Sequence, residues 1–169
     1  MLSEKKLLAL IDKKGFDFKL YTHEPLSTVE ESVKYRGTIE GAHSKNLFLK
    51  NKKNQFFLFS CLEDTHINLK KISKSLALGN ISFANEDCLS SYLGVKSGAV
   101  TPFGLLNDLE NQVTFFFDNK FFKNQIVNFH PLTNTSTIGM KIKDFVNFLI
   151  ENKKKVNIYD FTNYSLIED

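Results

Sequence analysis

The chain has 169 residues, 42% of them hydrophobic and 24% charged, which suits one globular core and excludes a disordered chain. A net charge of +3 permits a polyanionic partner without requiring one, and with Arg36 as the only arginine any phosphate contact falls to lysines and backbone amides. Two cysteines, Cys61 and Cys88, with no CxxC and no histidine at ligand spacing, argue against a disulfide framework or a metal site, and the expected setting is a reduced cytoplasm.

No signal peptide is expected from MLSEKKLLALIDKKG, and no stretch approaches the roughly 20 apolar residues of a membrane span. The first segment reads as an amphipathic helix capped by Ser3, with Leu7, Leu8 and Ile11 on one face and Gly15 as its stop. Phe16 to Tyr21 alternates as a strand, and His23-Glu24-Pro25 reads as a turn. Ser27 and Glu30 have capping-box spacing for a helix running to about Tyr35 and ending at Gly37. Leu47 to Lys50 and Gln55 to Leu62 read as a hairpin around Asn51-Lys52-Lys53-Asn54. Asn68 caps a lysine-rich helix to Leu76 that Gly79 closes. Ile81 to Phe83 reads as a strand, and Glu86 to Leu93 as a short helix ended by Gly94.

The stretch 94–108 has three glycines, Pro102 and no regular period, which predicts a structured loop. Val113 to Phe117, Ile126 to His130 and Asn134 to Gly139 read as strands. Ile142 to Glu151 reads as a closing helix, Val156 to Tyr159 as a last strand, and the remainder as a tail. Interleaved helices and strands with a hairpin predict a single α/β or α+β domain over residues 1–169, its core about 5–152, around a mixed sheet.

Three segments are rich in groups that carry chemistry. GAHSKNLFL places Lys45 and Asn46 where a strand starts, although spacing alone also suits a solvated lysine. SGAVTPFG, from Ser97 to Gly104, lets backbone approach a ligand closely, or is an ordinary surface loop. NFHPLTNT ends a strand on His130 beside Pro131, and a structural histidine fits as well.

Together and in this order, GAHSKNLFLK, GVKSGAVTPFGLLND and VNFHPLTNTSTIG resemble the YbaK/ProX aminoacyl-tRNA editing family, closest to its freestanding ProX (ProXp-ala) branch. Glu63-Asp64 and Leu69-Lys70-Lys71 fit the same pattern, and the resemblance spans about residues 5 to 152. It implies a YbaK-like fold, a mixed, barrel-like sheet flanked by helices. It implies a trans-editing deacylase that hydrolyses alanine from proline tRNA, with no cofactor, no metal and no membrane, and with prolyl-tRNA synthetase as a possible partner. Lys45, Asn46 and His130 then match the catalytic positions. Ser97, Gly98, Thr101, Gly104 and Thr133 match the substrate cleft, the loop amides being candidates for the oxyanion site. Lys50, Lys52, Lys53, Lys70, Lys71 and Lys74 are the candidate tRNA-facing charges. Three other readings stay open: the same chemistry on cysteinyl-tRNA, as in the YbaK branch, a module that binds aminoacyl-tRNA without turnover, or a small-molecule binder that kept the cleft. Cys61, in an apolar strand, and Cys88, in a short helix, read as packing residues rather than nucleophiles.

Overall fold

In a computed structural model that describes residues 1–25 and 39–167, helices and strands alternate along one mixed sheet. The expected helix at Ser27 to Tyr35 lies outside the described residues. Helix α1, Glu4–Lys13, forms as its pattern dictates: the Ser3 hydroxyl accepts from the Lys6 N–H, Leu7 and Ile11 are buried, and Gly15 turns the chain away at φ 83°. Strand β1, Lys19–Thr22, follows.

Strands β2, Ala42–Asn51, and β3, Phe56–Leu62, form the hairpin. β2 starts five residues earlier than expected, so Lys45 and Asn46 lie inside a strand rather than at its start. The early residues are polar because this part of β2 pairs with a sixth strand and carries the candidate site, and alternation is masked there.

Helix α2, Leu69–Leu76, takes its cap from Asn68, as expected, but its closing residue is Ala77, left-handed at φ 56°, and not Gly79. Strand β4 is Ile81–Phe83. A single turn α3, Glu86–Cys88, runs into a wide π turn, Leu89–Leu93, where a uniform helix was expected, and Gly94 closes it at φ 66°. The glycine-rich stretch contains a 3-10 helix, Pro102–Asn107. Then come β5, Val113–Asp118, a 3-10 turn, Asn119–Lys123, β6, Ile126–Phe129, β7, Ser136–Lys141, and α4, Ile142–Glu151.

The C-terminal segment is more than a tail. β8, Asn157–Asp160, and β9, Ser165–Leu166, extend the sheet, and Tyr159 and Phe161 are buried. Two large rings spaced by one residue are a core pattern, but the polar residues around them mask it.

The nine-stranded sheet runs β1-β7-β6-β2-β3-β5-β8-β9, with β4 pairing β2 off this path. It is mixed: β2–β6, β3–β5 and β5–β8 are parallel, and the other pairs are antiparallel. One face carries the larger core, where Phe48, Leu58, Phe117 and Phe129 meet Leu7, Phe103, Phe145 and Phe148. The other carries a smaller core of Leu49, Phe57, Phe59, Cys61, Ile72, Phe116, Tyr159 and Phe161. Some of the abundant phenylalanines meet edge to face, as Phe103 and Phe145 do at 5.5 Å between ring centres, and others stack, as Phe129 and Phe145 do at 4.6 Å.

Candidate functional site

β2 changes partner along its length, and this positions the site. Its first residues pair in parallel with β6, Ala42 with Val127 and His43 with Asn128. From Leu49 onward the same edge pairs with β4. Between them the sheet splits beside Ser44 to Leu47, and backbone and side chains at a split can meet a ligand. Ser44 spans the start of the split, its hydroxyl donating to the Asn128 carbonyl at 3.1 Å.

Lys45 pairs with Cys61, and Leu47 with Phe59, so Lys45 stands on the face of the smaller core. Asn128 stands level with His43 on that same face, and β6 ends at Phe129, so His130 follows two residues after Asn128, just beyond the ladder. The row continues across the sheet: Ser60 pairs with Phe117, so Cys61 is level with Asp118, and Asp118 pairs with Tyr159. Lys45, Cys61, Asp118 and Tyr159 thus cross four strands on one face. Lys45 and His130 are half-buried, while Cys61 and Asp118 are buried.

Asn46 is the next residue along β2, and successive strand side chains alternate faces. It therefore lies on the side of the larger core, where its amide donates to Ser44 Oγ at 3.2 Å. Its Oδ1 and the Oγ of Ser60, its cross-strand partner, are both buried without a hydrogen bond. Asn46 thus reaches the β6 strand end through Ser44, not through the face that carries Lys45.

His130 Nδ1 is 2.8 Å from the Ser136 carbonyl oxygen. A carbonyl only accepts, so Nδ1 carries a proton, and in the neutral ring Nε2 is the accepting nitrogen. His23, whose ring centre is 6.2 Å from that of His130, is held the same way, with Nδ1 against the Glu24 carbonyl and Nε2 against the Thr137 hydroxyl, each at 2.9 Å. Sequence reading placed His23 in a turn and missed this pairing; Pro25 two residues on was its only signal.

The exposed loop tip meets the segment after His130: a Cβ added to Gly98, at φ 90°, would stand 3.7 Å from the Asn134 amide nitrogen. Thr133, half-buried beside it, has its hydroxyl 3.1 Å from that of Thr135. Ser97 is exposed, and its N–H donates to the Glu86 carboxylate. Deeper in the loop, Thr101 is fully buried and its hydroxyl accepts from the Phe103 N–H, capping the 3-10 helix. Gly104 packs so closely on Leu93 that an added Cβ would stand 2.9 Å from its carbonyl oxygen. Thr101 and Gly104 hold the loop's shape, and only Ser97 and Gly98 stand at its open tip.

Burial pushes the Cys61 thiol up to about 12; the Lys45 charge opposes this, and Asp118 and Asp64 add to it. Burial also raises Asp118, against N–H donors from Lys120 and Leu62. Burial thus leaves the Cys61 sulfur without the setting of an activated nucleophile. Among the described residues no three of His, Cys, Asp and Glu gather as a metal site.

Four of the six candidate lysines line two hollows. Lys70 and Lys74 border one of about 500 Å³, Lys50 and Lys52 border one of about 430 Å³, and Asn80 and Ile81 belong to both. Lys53 is exposed on the hairpin turn, and Lys71 lies 5.4 Å above the Tyr164 ring.

The sequence matches the family of the aminoacyl-tRNA editing domain over residues 23–148. It is 42% identical over 132 residues, 75% of this chain and 78% of the relative, to a prolyl-tRNA synthetase associated domain-containing protein 1 of Xenopus laevis. It is 32% identical over 153 residues, 90% of this chain and 93% of the relative, to the prolyl-tRNA editing protein ProX of Acetoanaerobium sticklandii. A multifunctional Ser/Thr-tRNA deacylase, ProXp-y of Escherichia coli, is 29% identical over 105 residues, 60% of this chain and 63% of the relative. A crystal structure of a proposed trans-editing enzyme for prolyl tRNA synthetase superposes at TM-score 0.69 and 18% identity, covering 100% of both chains, which shows the YbaK-like fold. By its matched domain and by the length over which it follows ProX, the chain belongs to the aminoacyl-tRNA editing family of hydrolases.

Proposed function

We propose that the chain removes alanine wrongly attached to proline tRNA, acting in trans as a freestanding deacylase. The observation that carries this reading is Lys45 beside the point where β2 and β6 part, with His130 just past the end of β6. The substrate is an ester on a ribose hydroxyl of the terminal adenosine, already activated towards water, so the protein's work is positioning and charge stabilisation. Lys45 supplies a positive charge to the carbonyl side. The Ser97 N–H is taken by Glu86, so the candidate donor at the loop tip is the N–H of Gly98, which stands beside Asn134 in the segment after His130. His130 accepts through Nε2 and holds either the substrate amino group or the ribose end. Asn46 acts as a positioning residue, through Ser44 on the β6 strand end.

The ribose hydroxyl beside the ester orients the attacking water. Water adds to the carbonyl carbon, the bond to the ribose oxygen breaks, and the water's proton passes to that leaving oxygen, giving free alanine and intact tRNA. The hollows lined by Lys50, Lys52, Lys70 and Lys74 offer point charges for tRNA phosphates. The relatives named for prolyl-tRNA editing support proline tRNA as the carrier. The test is ester loss from proline tRNA charged with alanine, cysteine or serine. Alanine is expected to be released fastest; faster release of cysteine or serine reassigns the amino acid, and no release of any of them removes the catalytic reading.

A further inference from the structure

His130 stands in a turn that is held from outside. β6 ends at Phe129 and β7 starts at Ser136, and between them Leu132 is left-handed at φ 72°. A bulky residue keeps that conformation only where the surrounding structure imposes it. The far end of the turn is also the end of a ladder, since Ser136 pairs with Thr22 as the last rung between β7 and β1. Strand ends open more readily than strand centres, so this rung needs support.

The support comes from the opposite end of the chain. The His23 N–H donates to the Thr135 carbonyl at 2.9 Å, and the His23 ring meets the Thr137 hydroxyl. Between these two, the Ser136 hydroxyl donates to Glu4 Oε1 at 2.5 Å, the short length of a hydroxyl on a carboxylate. Ser136 is buried and Glu4 half-buried, so water competes little for this bond. Glu4 is in the first turn of α1, whose Leu7 and Ile11 are fully buried in the larger core. The acceptor therefore stands on a rigid element.

Ser136 acts twice. Its hydroxyl is held by Glu4, and its carbonyl takes the Nδ1 proton of His130 at 2.8 Å. Without the Glu4 acceptor the strand end loosens and that carbonyl loses its fixed place. A neutral imidazole can then carry its proton on Nε2 instead, which turns the accepting nitrogen into a donor. We propose that Glu4 is a positioning residue for His130: through Ser136 it fixes the tautomer and orientation of the ring and keeps Nε2 an acceptor. Its effect on turnover rests on His130 as a residue that holds the substrate.

The experiment compares full-length wild type, Glu4→Ala, Ser136→Ala and Glu4→Gln. The two alanine variants break one bond from its two ends, so either alone decides the matter should the other fail to fold. Glu4→Gln loses the charge at the start of α1 but keeps an acceptor oxygen, which separates the bond from the helix. Proton–nitrogen correlation NMR of the imidazole reads the His130 tautomer, and kcat/KM on alanyl-tRNA reads the consequence. The Nδ1–H form is expected in wild type and in Glu4→Gln. Both alanine variants are expected to show mixed tautomers and a kcat/KM lower by about tenfold, which Glu4→Gln largely restores. The double alanine variant is expected to be no worse than either single one, since the same bond is lost. A folded alanine variant with the wild-type tautomer, or with the wild-type kcat/KM, overturns the proposal. Glu4→Gln as impaired as Glu4→Ala also overturns it, because the helix charge then explains the loss. If wild type hydrolyses no charged tRNA, mixed tautomers in the alanine variants still support the hold of Glu4 on His130, and the catalytic reading alone falls.

Discussion

Cys61 stands opposite Lys45 in the β2–β3 ladder, and its thiol shows what the site does not use. With the thiol raised to about 12 from an ordinary 9.0, the folded chain keeps a proton that the unfolded chain releases. The stability from burying a neutral thiol is therefore full below about pH 9 and is lost as pH rises toward about 12, by at most about 1.4 kcal/mol per pH unit. Denaturant titrations from about pH 8 to about pH 10 are expected to show wild type losing more stability than Cys61→Ala. A Cys61→Ala, Cys88→Ala double variant is expected to keep deacylation within about threefold, since burial holds the Cys61 thiol protonated and Cys88 packs on the larger core, away from the face of Lys45. A dead but folded double variant, by circular dichroism, reopens a thiol route.

Gly104 and Ala77, each at the turn of an element, respond in opposite ways to substitution. Gly104→Ala forces a Cβ against the Leu93 carbonyl and is expected to destabilise the fold by about 1–3 kcal/mol, read from urea midpoints. Ala77→Gly at the end of α2 is expected to stabilise it by about 0.5–1 kcal/mol, because a left-handed residue with a Cβ is replaced by one without. The sequence carried α1 and α2 plainly through the local N-caps Ser3 and Asn68, and α4 through its apolar spacing alone. It hid the first half of β2, because Ser44, Lys45 and Asn46 answer to the split between β6 and β4, which no local pattern announces. The three candidate segments were legible as segments; their meeting was not. That Lys45 and Asn46 diverge to opposite faces follows from strand geometry once β2 is known to contain both.

At the scale of the whole molecule, the C-terminal strands belong to the core that backs Lys45. Each of the Tyr159 and Phe161 side chains buries up to about 200 Å², about 5 kcal/mol at 25 cal/mol per Å², as an upper figure. Two such losses rival the roughly 5–15 kcal/mol of a whole domain. Truncation after residue 152 is therefore expected to abolish cooperative thermal unfolding, read from a circular-dichroism melt. The residues of the row that holds Lys45 gather no metal-ligand group among those described, so dialysis against a chelator is expected to leave the rate within about twofold. The measurement that bears most directly on the whole account is the initial rate of alanine release from proline tRNA by wild type and by Lys45→Ala, with melting curves run alongside. The account predicts rapid release by wild type and a fall of at least about a hundredfold in the variant at an unchanged melting temperature. A folded Lys45→Ala that releases alanine at close to the wild-type rate contradicts it.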